Sequence, residues 1–310
     1  EPLYGGHYGY DQIGIVGCHA EGSVAVVYLG ESSPSSSFLE SSKSATADNY
    51  FFSTIELNNM TGYLPEEIGA LSHLRQFVIY QEHLQGSLPS SLFNLNELEL
   101  LVMPYNNFTG AIPTTIGKLT KLTQLWLEHA AFDSTIPSEV GLLSNLILLD
   151  LSTASLYGMI PQTLNQLTSL QRLHLSENQL TGTLSDTFPS AWPDLERLML
   201  MSNHLNGTIP ANIDDMSSLK YVYMSANNLT GPFPQSFANL PLLEELGLDE
   251  NHLTGSLPSW WGGRLFSSSP LRILALYQND LTGILPTTLG DLTALEALSL
   301  GSNDGLSGTL

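Results

Sequence analysis

The chain has 310 residues, nine of them Lys or Arg and 30 Asp or Glu, for a formal net charge of −21. Nucleic acids and anionic membrane surfaces are bound mainly through Lys and Arg, so this balance excludes nucleic acid as a partner and disfavours docking on acidic lipid. Charged residues make up only 13% of the chain, against about 25% in ordinary soluble domains, so Ser, Thr, Asn and Gln must dress the surface.

In chain order, residues 1–30 read as an N-terminal cap with a first strand. The apolar, β-branched run Val24-Ala25-Val26-Val27-Tyr28-Leu29 carries the strand signal. Cys18 is the only cysteine, so no disulfide closes within the chain. It is either a buried thiol or paired with chain outside this sequence. Residues 31–48 form a Ser-rich insertion that reads as a loop able to carry O-linked sugar.

From residue 49 to 310 the chain repeats. A Gly-x-hydrophobic-Pro tetrad begins at Gly62, Gly86, Gly110, Gly158, Gly207, Gly231, Gly255 and Gly283. Pro137 and Ser185 keep the phase where the tetrad is degenerate, so successive units lie 24 residues apart, with one step of 25 from Gly182 to Gly207 and one of 28 from Gly255 to Gly283. Ahead of each tetrad sits Leu-x-x-Leu-x-Leu-x-x-Asn, clearest at Leu170, Leu173, Leu175 and Asn178. Alternating leucines predict a short strand with one buried face. The Asn positions predict an internal hydrogen-bonded ladder. Glu82, Ala130 and Ala154 stand where Asn is expected, which predicts irregular turns there, with Glu82 rotated to solvent. Extra residues near Pro189–Pro193 and from Trp260 to Ser269 fall on the convex side, with the Trp pair in convex core. The last repeat stops in mid-motif at Leu310 without a polar cap, so further chain or a partner is expected to cover that end.

The unit Leu-Thr-Gly-x-Ile-Pro followed by the Leu-x-x-Leu-x-Leu-x-x-Asn run resembles the plant-type leucine-rich repeat of receptor-kinase ectodomains and polygalacturonase-inhibitor-like proteins. The resemblance covers residues from about 50 to 310. It implies an α/β repeat solenoid: a right-handed, curved superhelix with a parallel β-sheet on its concave face. It also implies an extracellular location, secreted or as a cell-surface ectodomain. The family's cap pairs the equivalent of Cys18 with a cysteine slightly upstream, where this chain has Asp11.

Nothing in the sequence reads as catalytic, cofactor-binding or metal-binding. Gly-x-Ser-x-Gly and His-Glu-x-x-His are absent, and Gly117-Lys118 lacks the rest of a phosphate loop. His204 and His252 share a repeat position two strands apart, roughly 10 Å, which is too far for one zinc. The informative surface is the outward side of the concave strands. There the repeat register places Tyr80, Trp126, Glu128, Asp150, His174, Met199, Met201, Tyr221, Tyr223, Asp249 and Tyr277. Trp, Tyr and Met in a large exposed patch mark contact surfaces, and the acidic residues suit a ligand with basic or hydroxyl groups. This face is expected to bind a protein, peptide or glycan. Sequons at Asn59, Asn107, Asn206 and Asn228 predict N-linked glycans. The second reading is a structural glycoprotein that self-associates into an array or filament through its open end and apolar face.

Overall fold

The computed structural model describes residues 25–28, 61–259, 261 and 269–308. Cys18, the Ser-rich stretch 31–48 and Asn59 lie outside the described residues. The rest is the expected solenoid. Eleven parallel strands, one per coil, form a single sheet from Ala25–Tyr28 and Leu74–Val78 through Arg172–His174 to Ala297–Ser299. The first strand falls inside the β-branched run Val24–Leu29 and pairs with Leu74–Val78.

Each strand is short because only three residues alternate before the turn. In Arg172–His174, Leu173 points inward and is 1% exposed, and Leu175 follows at 0%. One repeat cannot bury its leucines alone, so stacking supplies the core, at about 1.5–3 kcal/mol for each fully buried Leu. On the convex side most coils carry a one-turn 3-10 helix instead of an α-helix. The proline of the tetrad precedes it, as at Pro137 before Ser138–Leu142 and Pro161 before Gln162–Gln166. Proline holds φ near −65° and asks for no hydrogen bond from its missing N–H, so it suits that entry point. The 25-residue step is absorbed by a short α-helix, Phe188–Ala191. The Phe188 and Trp192 rings stack at 4.5 Å, and the Trp192 indole donates to the Leu164 carbonyl at 3.1 Å. Trp261 is buried in convex core against Phe233, 5.6 Å between centroids, as expected of its position.

The Asn ladder runs where the sequence places it. The Asn227 amide donates to the carbonyls of Met224 and Ser225 in its own coil and of Leu200 in the coil before. Its oxygen accepts from the Leu205 N–H. Each ladder position follows a residue in the left-handed region, from Gln81 and Tyr105 to Gln278 and Ser302, with φ of 50–56°. For a residue with a Cβ that conformation costs roughly 1–2 kcal/mol, and the amide bonds to the flanking carbonyls hold it.

The three departures from Asn have two outcomes. At Ala130 and Ala154 the turns are irregular, as expected. Asp133 and Ser155 take additional left-handed conformations. The Phe132 N–H, with no Asn oxygen to receive it, donates to the Ala154 carbonyl at 3.1 Å. The flanking second sheet breaks there into a three-stranded and a seven-stranded piece, joined only by isolated bridges at Thr109–Ala131 and Thr135–Tyr157. Glu82, however, does not turn to solvent: it is 4% exposed. Gln81 has the same left-handed φ, 54°, as its equivalents. That backbone fixes residue 82 inward whatever side chain it carries.

Candidate functional site

The concave register follows the repeat. Val78, Val102, Trp126, Asp150, His174, Met199, Tyr223, Gly247 and Ala275 are successive Cα partners across the sheet. Glu128 and Met201 lie two residues further along the chain from Trp126 and Met199, on the same face. Tyr80 and Asp249 hold the matching positions in their own coils, and Tyr221 sits two residues before Tyr223. Tyr277, at the far end, is 40% exposed.

The expectation of a large exposed apolar band is corrected by this arrangement. Met199 is 7% exposed, Tyr223 3%, and Val102 is fully covered. Outward side chains on parallel strands about 4.8 Å apart touch their lateral neighbours, and concave curvature crowds them further. Val78, Leu100 and Val102 make a small apolar cluster separate from the main core, with Trp126 packed against it. Tyr80, Trp126, His174, Met201 and Tyr221 remain partly exposed, whereas Glu128, Asp150 and Asp249 are buried.

The centre of the face is a buried acid–imidazole network. His174 Nδ1 lies 2.9 Å from Asp150 Oδ2. An ionised carboxylate only accepts, so the ring proton sits on Nδ1. Asp150 Oδ1 accepts from both the Ser152 N–H, at 3.0 Å, and the Ser152 hydroxyl, at 2.6 Å. Burial alone would raise the Asp150 carboxyl. The electrostatic contact with His174 and the hydrogen bonds from His174 and Ser152 outweigh it and hold the group below its ordinary range. Glu128 goes the other way: burial, and then the neighbouring Asp150 charge, push it well above the usual carboxylate range. Ser152 donates to the carboxylate and not to the imidazole, so the nucleophile–base–carboxylate order of acyl transfer is not assembled here.

Two flanking groups were not foreseen from the sequence. Tyr105 and His129 stack at 4.1 Å, and Tyr80 meets Tyr105 edge-on at 5.6 Å. Both occupy the left-handed position in consecutive coils, 24 residues apart, which is the signal that could have found them. At the other side the Arg197 guanidinium lies 4.3 Å over the Tyr221 ring. Tyr221 and Tyr223 donate to Glu244 and Glu245, and Arg272 pairs with Glu296 and Glu245.

Away from this face, His204 and His252 line a lateral groove of about 810 Å³ with Asn228, Glu250 and Asp280. Among the described residues no group of three His, Cys, Asp or Glu is placed to hold a metal ion, and no helix is long and apolar enough to cross a membrane.

A family model described as a leucine-rich repeat region matches residues 54–268. The chain belongs to the leucine-rich-repeat family. Among curated proteins it is 34% identical to Receptor-like protein 41 of Arabidopsis thaliana over 115 residues, 36% of this chain and 12% of that protein. Among solved structures it resembles the plant peptide hormone receptor RGFR1 in complex with RGF2. The TM-score is 0.77 at 35% identity, over 81% of this chain and 39% of that one. It also resembles a plant ice-binding protein, with a TM-score of 0.65 at 27% identity, over 80% of this chain and 78% of that one. The chain thus spans well under half of the receptor and receptor-like protein. One repeat architecture serves different functions among these relatives, so function must be argued from the site.

Proposed function

We propose that this chain is an extracellular, non-enzymatic recognition module that binds a peptide or protein segment along its concave face, from Tyr80 to Tyr223. One observation carries the reading. Partly exposed aromatic side chains, Tyr80, Trp126 and Tyr221, border a network of buried polar groups on one continuous strand register. Rigid aromatic anchors around a polar centre are the composition of binding hot spots. The likeness to a peptide hormone receptor bound to its peptide supports the choice of ligand class.

The test is a panel of random-sequence synthetic peptides offered to the immobilised protein. Binders are expected, and the double variant Trp126→Ala, Tyr221→Ala is expected to weaken them at least about tenfold. A panel without binders, or binders indifferent to both substitutions, sinks the proposal.

The extracellular part of the reading has its own check. Asn107, Asn206 and Asn228 are all exposed, and Asn206 and Asn228 are Cα partners on adjacent strands. Secreted from a eukaryotic host, the protein is expected to lose mass on enzymatic removal of N-linked glycans. Peptide mapping should then find converted asparagines at two or more sequons. An unchanged mass contradicts N-glycosylation.

A further inference from the structure

The concave centre contains three polar atoms that are buried and have no hydrogen-bond partner: Glu128 Oε2, His174 Nε2 and Ser176 Oγ. Glu128 is 1% exposed and Ser176 9%. Inward Leu127 and Leu175, both fully covered, set the pleat so that Glu128 and Ser176 project to the concave side with His174. The coils bring them together. The His129 N–H donates to the Ser152 carbonyl and the Thr153 N–H to the Ser176 carbonyl, so Glu128, Ser152 and Ser176 form one row beside Trp126, Asp150 and His174.

The three atoms share a chemistry. With Nδ1 donating to Asp150, the neutral ring of His174 offers Nε2 as an acceptor. An ionised Glu128 only accepts, and Ser176 has acceptor lone pairs unused. With Glu128 ionised, a group that only donates can satisfy all three. Among peptide side chains, guanidinium and ammonium groups donate without accepting. Leaving such acceptors unpaired is costly, and a chain of net charge −21 draws cations towards it.

We propose that Glu128, His174 and Ser176, backed by the Asp150 carboxylate, form the subsite for a cationic side chain of the bound peptide. This deepens the peptide-binding reading and rests on it. Entry requires Trp126 or His174, the partly exposed members of the cluster, to change rotamer. Binding also moves a proton. Tyr80, itself beside Tyr105, stands near Glu128 from the N-terminal side, and Asp150, which holds His174, from the next coil. In the free protein burial and the Asp150 charge keep Glu128 protonated above the usual range. A cation beside it favours the ionised form, so the complex releases that proton and affinity rises with pH through this window.

The experiment uses the peptides selected from the random panel. Each arginine is replaced by citrulline and each lysine by acetyl-lysine, which keeps the shape and removes the charge. One replacement per binder is expected to weaken binding at least about tenfold. In Glu128→Gln that difference is expected to collapse to about twofold or less, the signature of a direct coupling. Calorimetry of the selected peptide in two buffers of different ionisation enthalpy should report net proton release just above the ordinary carboxylate range, where the raised Glu128 still holds its proton. Binders that carry no basic residue, or whose loss on neutralisation is the same in Glu128→Gln, overturn the subsite and leave peptide recognition standing. A panel with no binder overturns both. Thermal melts confirm that the variant is folded.

Discussion

Asn178→Ala is expected to destabilise the protein by about 3–5 kcal/mol. The Asn178 amide donates to the carbonyls of Leu151, Leu175 and Ser176 at 2.8–3.1 Å, and its oxygen accepts from the N–H groups of both Ala154 and Leu156. Five backbone groups in two coils therefore meet at one side chain. Ala154 offers no amide of its own, so nothing nearby replaces it. Each buried backbone group left unpaired costs about 1–3 kcal/mol, and partial relaxation keeps the sum below the maximum. Asn106 is the internal comparison. Its amide reaches Ile79, Met103 and Pro104, but its oxygen has no partner. Asn106→Ala is expected to cost at least about 1 kcal/mol less than Asn178→Ala. Urea melts of the two variants decide it, and equal losses would show that the oxygen side of the ladder contributes little.

The second large effect is a pH dependence. Glu128 is an acid whose folded pKa is raised, so the folded chain binds a proton that the unfolded chain has already lost. Its contribution is fully present below the unfolded carboxylate range and is lost as pH rises through the raised value. Glu128→Gln keeps the shape and cannot ionise. The variant is expected to match the parent at about pH 4 and to exceed it at about pH 8 by roughly 1–3 kcal/mol, the cost of a buried polar group without a partner. Asp150, whose folded pKa is lowered, has the opposite sign: its stabilisation is present at neutral pH and is lost as pH falls through the depressed value. Thermal melts across that range separate the two. A variant less stable than the parent at the upper end would mean that Glu128 is ionised and paired in the folded state.

The sequence resolved the strands and their register, because the leucine alternation recurs from coil to coil and the Gly-to-Pro tetrad keeps its phase even where it is degenerate, at Pro137 and Ser185. The row from Val78 to Ala275 holds even across the 25- and 28-residue steps, since the extra residues fall between strands, at Phe188–Ala191 and around Trp261. The facing of Trp126, His174 and Tyr221 follows from the period of two. What the sequence did not resolve is depth. Glu128, Asp150, Met199 and Tyr223 point outward yet are buried, because their cover comes from side chains one coil away on each side. Glu82 is the same lesson from the turn: backbone conformation at Gln81 outweighed the polarity of the next side chain. The opposite pKa shifts depend on contacts that spacing alone does not establish: burial and the Asp150 charge at Glu128, and the His174 contact and Ser152 hydrogen bonds at Asp150.

Hydrogen exchange of the whole chain, with and without a peptide selected from the random panel, decides whether the ligand lies on the concave strands. Added protection is expected in the concave strands from Gln124–Trp126 to Tyr221–Tyr223 and in the turns carrying Tyr105 and His129, with the second sheet unchanged. Protection confined to the second sheet, where Thr181, Thr230, Thr254 and Thr282 stand exposed, or to the lateral groove around His204 and His252, would contradict it.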